Sequence, residues 1–258
     1  MQLNTLKKKL RAGKTVLGPF LKLSDPAIVE IAGLAGFDFV IIDTEHGPNS
    51  MQTAQNLVRS AEIHRITPII RITENNPSLI VRALDIGAGG IQVPQVSNKT
   101  EALRIVGAAK FSPKGNRGVC RFVRAADYSC LDQFKYFKKS NQETLIIVHI
   151  EGIEGINNLA EILTVKGLDI IFLGPYDLSQ SCRVPGQVNH IKVTKKMQEA
   201  VELAKEANIT VGTFVDTIED AKKWIKVGIT YISFSVDVGI FSNACSDIVR
   251  NLMPFMRH

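Results

Sequence analysis

Short apolar runs rich in β-branched residues recur along the chain, and each is followed by a stretch whose apolar positions repeat at helical spacing. The runs cover residues 15–23 (TVLGPFLKL), 37–43 (FDFVIID), 68–72 (PIIRI), 90–94 (GIQVP), 144–151 (TLIIVHIE), 168–174 (LDIIFLG), 209–215 (ITVGTFV) and 230–236 (TYISFSV). Most are apolar almost throughout, as expected of parallel strands covered on both faces. The intervening pattern predicts helices at 25–35, 50–64, 78–86, 99–110, 153–163, 192–206 and 218–227. Several stop at a glycine (Gly36, Gly87, Gly167, Gly228), where a left-handed cap costs little.

Strict alternation of strand and helix gives a parallel sheet, and eight units without a reversal predict a closed (β/α)₈ TIM barrel, one domain over residues 1–258. An open doubly wound sheet would call for a Gly-x-Gly-x-x-Gly turn after the first strand, and the sequence has none there. Residues 111–143 break the rhythm. They hold Gly115-Asn116-Arg117-Gly118 and then a basic and aromatic stretch, and are expected to form an active-site insertion at the strand-exit face. Residues 241–258 read as a final helix suited to packing on a neighbouring subunit.

Composition narrows the classes further. With 258 residues, 45% of them hydrophobic and 22% charged, the chain is globular and long enough to bury a core without staples. Its four cysteines (Cys120, Cys130, Cys182, Cys245) form no Cys-x-x-Cys pair. With no signal peptide in view, they point to a reducing, cytoplasmic setting. No apolar run reaches the roughly 20 residues of a membrane helix, so no membrane partner is expected. The net charge of +6 is scattered over helix-like stretches without an aromatic platform. That argues against a nucleic-acid partner and would equally suit anionic substrates such as oxo-acids.

In a barrel the chemistry sits just beyond the C-terminal ends of the strands. The second run leads into Asp43-Thr44-Glu45-His46, the third carries Arg71, the fourth exits at Gln95, and the fifth ends in His149-Ile150-Glu151. The sixth leads into Gly174-Pro175-Tyr176-Asp177 and the eighth is followed by Asp237. Glu151 and Asp177 fall on adjacent strands. Two carboxylates at one mouth suit a hard divalent ion that keeps positions open for water and substrate, whereas singly each would serve as a helix cap. His46 is placed as a general base or as a structural histidine. Arg71 either neutralises the acidic mouth or stabilises an anionic substrate, and the two roles are compatible.

Six segments carry a family likeness: Ile42-Asp43-Thr44-Glu45-His46-Gly47-Pro48-Asn49, Ile69-Ile70-Arg71, Leu84-Asp85-Ile86-Gly87-Ala88, Arg117-Gly118-Val119, Glu151, and Phe172-Leu173-Gly174-Pro175-Tyr176-Asp177-Leu178-Ser179. Together they resemble the metal-dependent class II pyruvate aldolases of the 4-hydroxy-2-oxoheptanedioate aldolase (HpcH/HpaI) family. The resemblance implies a hexameric barrel lyase that reversibly cleaves a 4-hydroxy-2-oxo acid to pyruvate and an aldehyde. It implies Mg²⁺, Mn²⁺ or Co²⁺ held by Glu151 and Asp177, with Arg71 on the enolate oxyanion and His46 as acid–base residue. By the same likeness Asp85 raises the basicity of His46 through a hydrogen bond, and the backbone amides around Pro175 to Asp177 cradle the pyruvate carboxylate at a helix N-terminus, with Gly174, Pro175 and Tyr176 as substrate contacts.

The sequence departs from that pattern in places. His149 stands where relatives commonly carry glutamine as a substrate contact, which makes it a hydrogen-bond donor to substrate or an extra metal ligand. Tyr176 replaces a smaller residue, as do Cys120-Arg121-Phe122 after Arg-Gly-Val. Lys22 is a lysine within a predicted strand, and on the Phe20 face it would form a Schiff base with pyruvate if no metal were used. Two other readings remain open. One is a related pyruvate- or phosphoenolpyruvate-type barrel, such as a thioester carbon–carbon lyase or a decarboxylase. The other is a non-catalytic barrel that binds a small acid.

Overall fold

The computed structural model describes residues 4–256. Eight parallel strands close on themselves in sequence order: β1 (Val16–Leu21), β2 (Phe39–Asp43), β3 (Thr67–Arg71), β4 (Gly90–Val93), β5 (Leu145–Ile150), β6 (Ile170–Leu173), β7 (Thr210–Val215) and β8 (Tyr231–Val236). Every apolar run of the sequence supplies one of them. The barrel closes where Val16 pairs with Tyr231, and Phe39 stacks on Tyr231 inside with ring centroids 4.2 Å apart.

Alternation splits the apolar residues into two cores. Inward positions such as Phe20, Phe39, Ile41, Ile69, Ile147, Phe172 and Tyr231 fill the barrel, and Leu6 joins them from helix α1 (Thr5–Arg11) at its foot. Outward positions such as Val40, Ile42, Ile70, Ile91, Val148 and Ile171 pack under the helical ring. That ring comprises α2 (Ala27–Leu34), α3 (Met51–Ile63), α4 (Pro77–Asp85), α5 (Lys99–Ala109), α6 (Gln133–Glu143), α7 (Ile153–Asn157), α8 (Leu159–Ile162), α9 (Pro175–Ser181), α10 (Ile191–Glu206), α11 (Ile218–Val227) and α12 (Asp237–Met256). Asn98 and Thr217 cap α5 and α11 by accepting from backbone amides. Gly228 ends α11 at φ +116°, in the left-handed region.

Three features differ from the sequence reading. The stretch 153–163 is two short helices broken at Asn158. The final helix starts at Asp237, directly off β8, and the last two residues of the 241–258 expectation lie outside the described residues.

The third difference concerns residues 111–143. They follow α5, not β4, so they lie at the foot of the barrel, where helices return to the strands, and not at its mouth. Arg124 there donates to the carbonyl of Ile86 at the end of α4, and Lys110 to that of Thr144 just before β5. Within this chain the segment is a structural buttress around Phe111 and Tyr136. No helix among the described residues is long and apolar enough to cross a membrane, and all four cysteines are free.

Candidate active site

The mouth of the barrel holds a cleft of about 410 Å³ that gathers His46, Arg71, Glu151, Gly174, Pro175, Tyr176 and Asp177, with Lys22, Asp43 and Asp216. The strand register sets its first layer. Asp43 and Arg71 are lateral partners on β2 and β3, and their side chains meet in a two-point ion pair, Nε to Oδ1 at 2.9 Å and Nη2 to Oδ2 at 2.7 Å. Arg71 Nη1 reaches Glu45 at 3.1 Å, and the guanidinium lies 4.6 Å from the centroid of Phe20. Asp43 Oδ1 also accepts from the amides of Glu45 and His46, which folds the loop after β2 back over the strand end and leaves His46 exposed at the cleft. Burial would raise the Asp43 pKa. The bonds from Arg71 and the two amides outweigh it and hold the carboxyl below its usual value. For Glu45 burial prevails over the pull of Arg71, and its pKa is raised.

Glu151 follows β5 directly and is buried. Its Oε1 accepts from the Gln95 amide at 2.8 Å and its Oε2 from His149 Nδ1 at 2.9 Å. Burial pushes its pKa up, but the charge and hydrogen bond of His149 bring it below the ordinary value. Gly174 is required beside it: a Cβ there would stand 2.6 Å from Glu151 Oε2 and 2.9 Å from Glu151 Cβ. Pro175 opens α9 at a position where its missing N–H is harmless, and Asp177 lies in the first turn. Burial and then the neighbouring charge of Glu151 raise the Asp177 pKa. Two carboxylates thus face one space with repulsion between them. Among the described residues no group of three or more His, Cys, Asp or Glu side chains is placed to hold an ion.

Two expectations are corrected. His149 does not line the cleft. It is buried beneath it, stacked on Phe172 with centroids 4.6 Å apart and hydrogen-bonded to Gln92 and Glu151, so it is placed to orient Glu151 from below. Asp85 does not meet His46 within this chain. It ends α4 at the foot of the barrel and binds Arg117 at 2.6 Å. Helix α4 carries its C-terminus away from the strand exits, which separates the two residues. Asp43, Glu45 and Asp216 were passed over by sequence reasoning as site residues. Asp43 and Glu45 stood at a strand exit in plain view, but the register that joins Asp43 to Arg71 was not. Tyr176 donates to Asp216 at 2.6 Å, and that bond, with burial, pushes its pKa up to about 12.

Fold and site together define a (β/α)₈ barrel whose strand exits gather a histidine, an arginine and two carboxylates in one cleft. The chain belongs to the HpcH/HpaI aldolase/citrate lyase family, which it matches over residues 16–244. It is 33% identical to a 5-keto-4-deoxy-D-glucarate aldolase of Enterobacter sp. (strain 638) over 93% of each chain. It is 32% identical to a 4-hydroxy-2-oxo-heptane-1,7-dioate aldolase of Shigella sonnei (strain Ss046), over 93% of this chain and 92% of the relative. A crystal structure of a family member from Burkholderia cenocepacia J2315 superposes with a TM-score of 0.92 at 29% identity, covering 97% of this chain and 99% of the other.

Proposed function

We propose that this chain is a divalent-metal-dependent aldolase that reversibly cleaves a 4-hydroxy-2-oxo acid to pyruvate and an aldehyde. The observation that carries the reading is the convergence of His46, Arg71, Glu151 and Asp177 on one cleft at the strand exits.

The donor set fits a hard dication. The charge of Glu151 raises the proton affinity of Asp177, and a dication between the two carboxylates would relieve that repulsion while leaving coordination positions for water and substrate. Glu151 and Asp177 would hold it. When bound, Mg²⁺, Mn²⁺ or Co²⁺ supplies Lewis acidity at the 2-oxo group of the substrate. Arg71, fixed by Asp43 and Glu45, directs positive charge to where an enolate oxyanion develops. His46 takes the proton of the C4 hydroxyl as the C3–C4 bond breaks. The bonding pair passes into the pyruvate enolate, and a proton returned to C3 completes pyruvate. Gly174, Pro175 and Tyr176 shape the wall against which the pyruvate carboxylate lies.

The same proposal includes a homo-oligomer, a hexamer by family likeness. Helix α12 leaves Ile240, Phe241, Ile248, Val249, Leu252 and Phe255 exposed, an apolar face suited to a neighbouring subunit. The cytoplasmic setting read from the cysteine spacing belongs to it as well.

Exchange of the pyruvate methyl protons in D₂O, followed by NMR with Mg²⁺ or Mn²⁺ and then with chelator, tests the reading without the natural aldehyde. Exchange that stops on chelation is expected. Exchange that survives chelation would replace the metal with a Schiff base on Lys22, and no exchange at all would favour another substrate acid or a non-catalytic barrel.

A further inference from the structure

Four residues, Pro175, Tyr176, Phe214 and Asp216, line two cavities at once. On one side is the cleft of about 410 Å³, and on the other a second chamber of about 190 Å³. The far side of that chamber is built from the loop before α10 (Val188, Asn189) and from α11 (Asp220, Trp224). The partition between the two is the side chain of Tyr176. Its hydroxyl donates to Asp216 Oδ2 at 2.6 Å, and Asp216 follows β7 directly. The carboxylate is steadied from β8, where the Ser235 hydroxyl donates to Oδ1 at 3.4 Å. The Tyr176 ring stands edge-on to Phe214 with centroids 5.9 Å apart. The side chain is otherwise exposed, and rotation about χ1 would swing the ring off the opening once the bond is lost.

The position of this wall decides which half of the substrate it meets. Phe20, Phe214 and Tyr176 form a row. Phe20 lies 4.6 Å from the Arg71 guanidinium and 5.9 Å from Phe214, and Tyr176 immediately precedes Asp177. The row therefore runs from the cation that faces the enolate oxygen to the carboxylate assigned to the dication. An oxo-acid held at that dication lays its pyruvate carbons along the row. Carbons added beyond C3 of the donor meet the aromatic wall, and behind the wall is the second chamber, whose back is Val188 and Trp224. An alkyl chain suits those two side chains.

We propose that Tyr176, latched to Asp216, is a specificity-determining residue that closes the second chamber and holds the oxo-acid donor to the three carbons of pyruvate. The inference rests on the aldolase reading and concerns the donor half of the same site. With the latch open, cleft and chamber merge, and the alkyl end of 2-oxobutanoate or 2-oxopentanoate finds room between Phe214 and Trp224.

The test follows exchange of the C3 protons of pyruvate, 2-oxobutanoate and 2-oxopentanoate in D₂O by NMR, with Mg²⁺ or Mn²⁺ and no aldehyde. In Tyr176→Ala the kcat/KM for 2-oxopentanoate relative to that for pyruvate is expected to rise about 10- to 100-fold over wild type, the usual weight of a methylene or two in an apolar pocket. The gain should sit mainly in KM for the longer acid. Tyr176→Phe and Asp216→Ala each remove the latch and keep the ring, and should move the same ratio upward by a smaller factor. An unchanged ratio in Tyr176→Ala, or an equal change on all three acids, overturns the inference. So does a wild type that already exchanges 2-oxopentanoate as fast as pyruvate. A wild-type ratio in both latch variants overturns the part given to Asp216. Absence of metal-dependent pyruvate exchange in the wild type removes the aldolase reading itself, and the limit on the donor with it.

Discussion

Asp177 and Glu151 place function and stability in opposition. Burial and mutual repulsion raise the Asp177 pKa, which means that its ionised form is disfavoured in the folded chain without a dication. Replacing it with asparagine removes a charge whose burial and repulsion from Glu151 outweigh the pull of His149, His46 and Arg71. Asp177→Asn is therefore expected to keep or raise the Tm measured in chelator while turnover falls about 10³-fold, several kcal/mol of lost charge stabilisation. A lowered Tm in chelator would mean that Asp177 is a structural carboxylate instead. Asp43 shows the other sign. Its folded pKa lies below 3.8, so its contribution to stability is complete above that value and is lost as pH falls through the folded pKa. The four residues placed first at this site, His46, Arg71, Glu151 and Asp177, were legible because a barrel assigns chemistry to strand exits. His149 was misread for the complementary reason. It lies two residues before Glu151 and so on the same side of the strand, one layer deeper in the barrel, and depth is not written in alternation.

Elements carry the site through close approaches that only the assembled barrel shows. The turn from β6 into α9 passes so near Glu151 that position 174 has no room for a side chain. Gly174→Ala should displace Glu151 from its bonds to His149 and Gln95, with kcat reduced at least tenfold. Stability should fall by about 1–3 kcal/mol, the usual cost of overpacking. Comparison of metal affinity by calorimetry with urea unfolding would separate the two effects, and an unaltered affinity would show that Glu151 tolerates the shift. The eight strands and most helices were legible because their apolar periods are long and unmixed. The foot of the barrel was not. The 111–143 segment looked like an active-site loop because its length and its basic and aromatic residues drew the reading, although the helix expected at 99–110 already ends before it and so puts it on the return to β5. Asp85 shares that fate: its motif was legible, but the direction of α4 puts it beside Arg117.

At the scale of the whole molecule, the mouth gathers acids, and the opposite end buries lysines against carbonyls. Lys7 Nζ donates to the Thr144 carbonyl at 3.0 Å and pairs with Asp169 at 2.8 Å, while Lys110 Nζ donates to the carbonyls of Asn141 and Thr144 at 3.1 and 2.8 Å. These bonds tie α1, α5 and α6 to the feet of β5 and β6, with Leu6 closing the barrel beneath them. One of the two lysines has its charge balanced and the other does not. Burial, then the charge of Lys7, lowers the Lys110 pKa from 10.5 to about 7. The folded chain thus binds fewer protons than the unfolded chain between those values, and stability contributed by this group rises with pH across the window and levels off above about 10.5. Lys110→Met removes the titration and keeps the bulk. Urea unfolding of both proteins at pH 7 and pH 9.5 is expected to show the wild type gaining on the variant by on the order of 1–3 kcal/mol over that interval. A difference independent of pH would mean that the carbonyls and Asp169 keep Lys110 charged throughout. The foot would then be held by a second charged pair instead of a neutral amine.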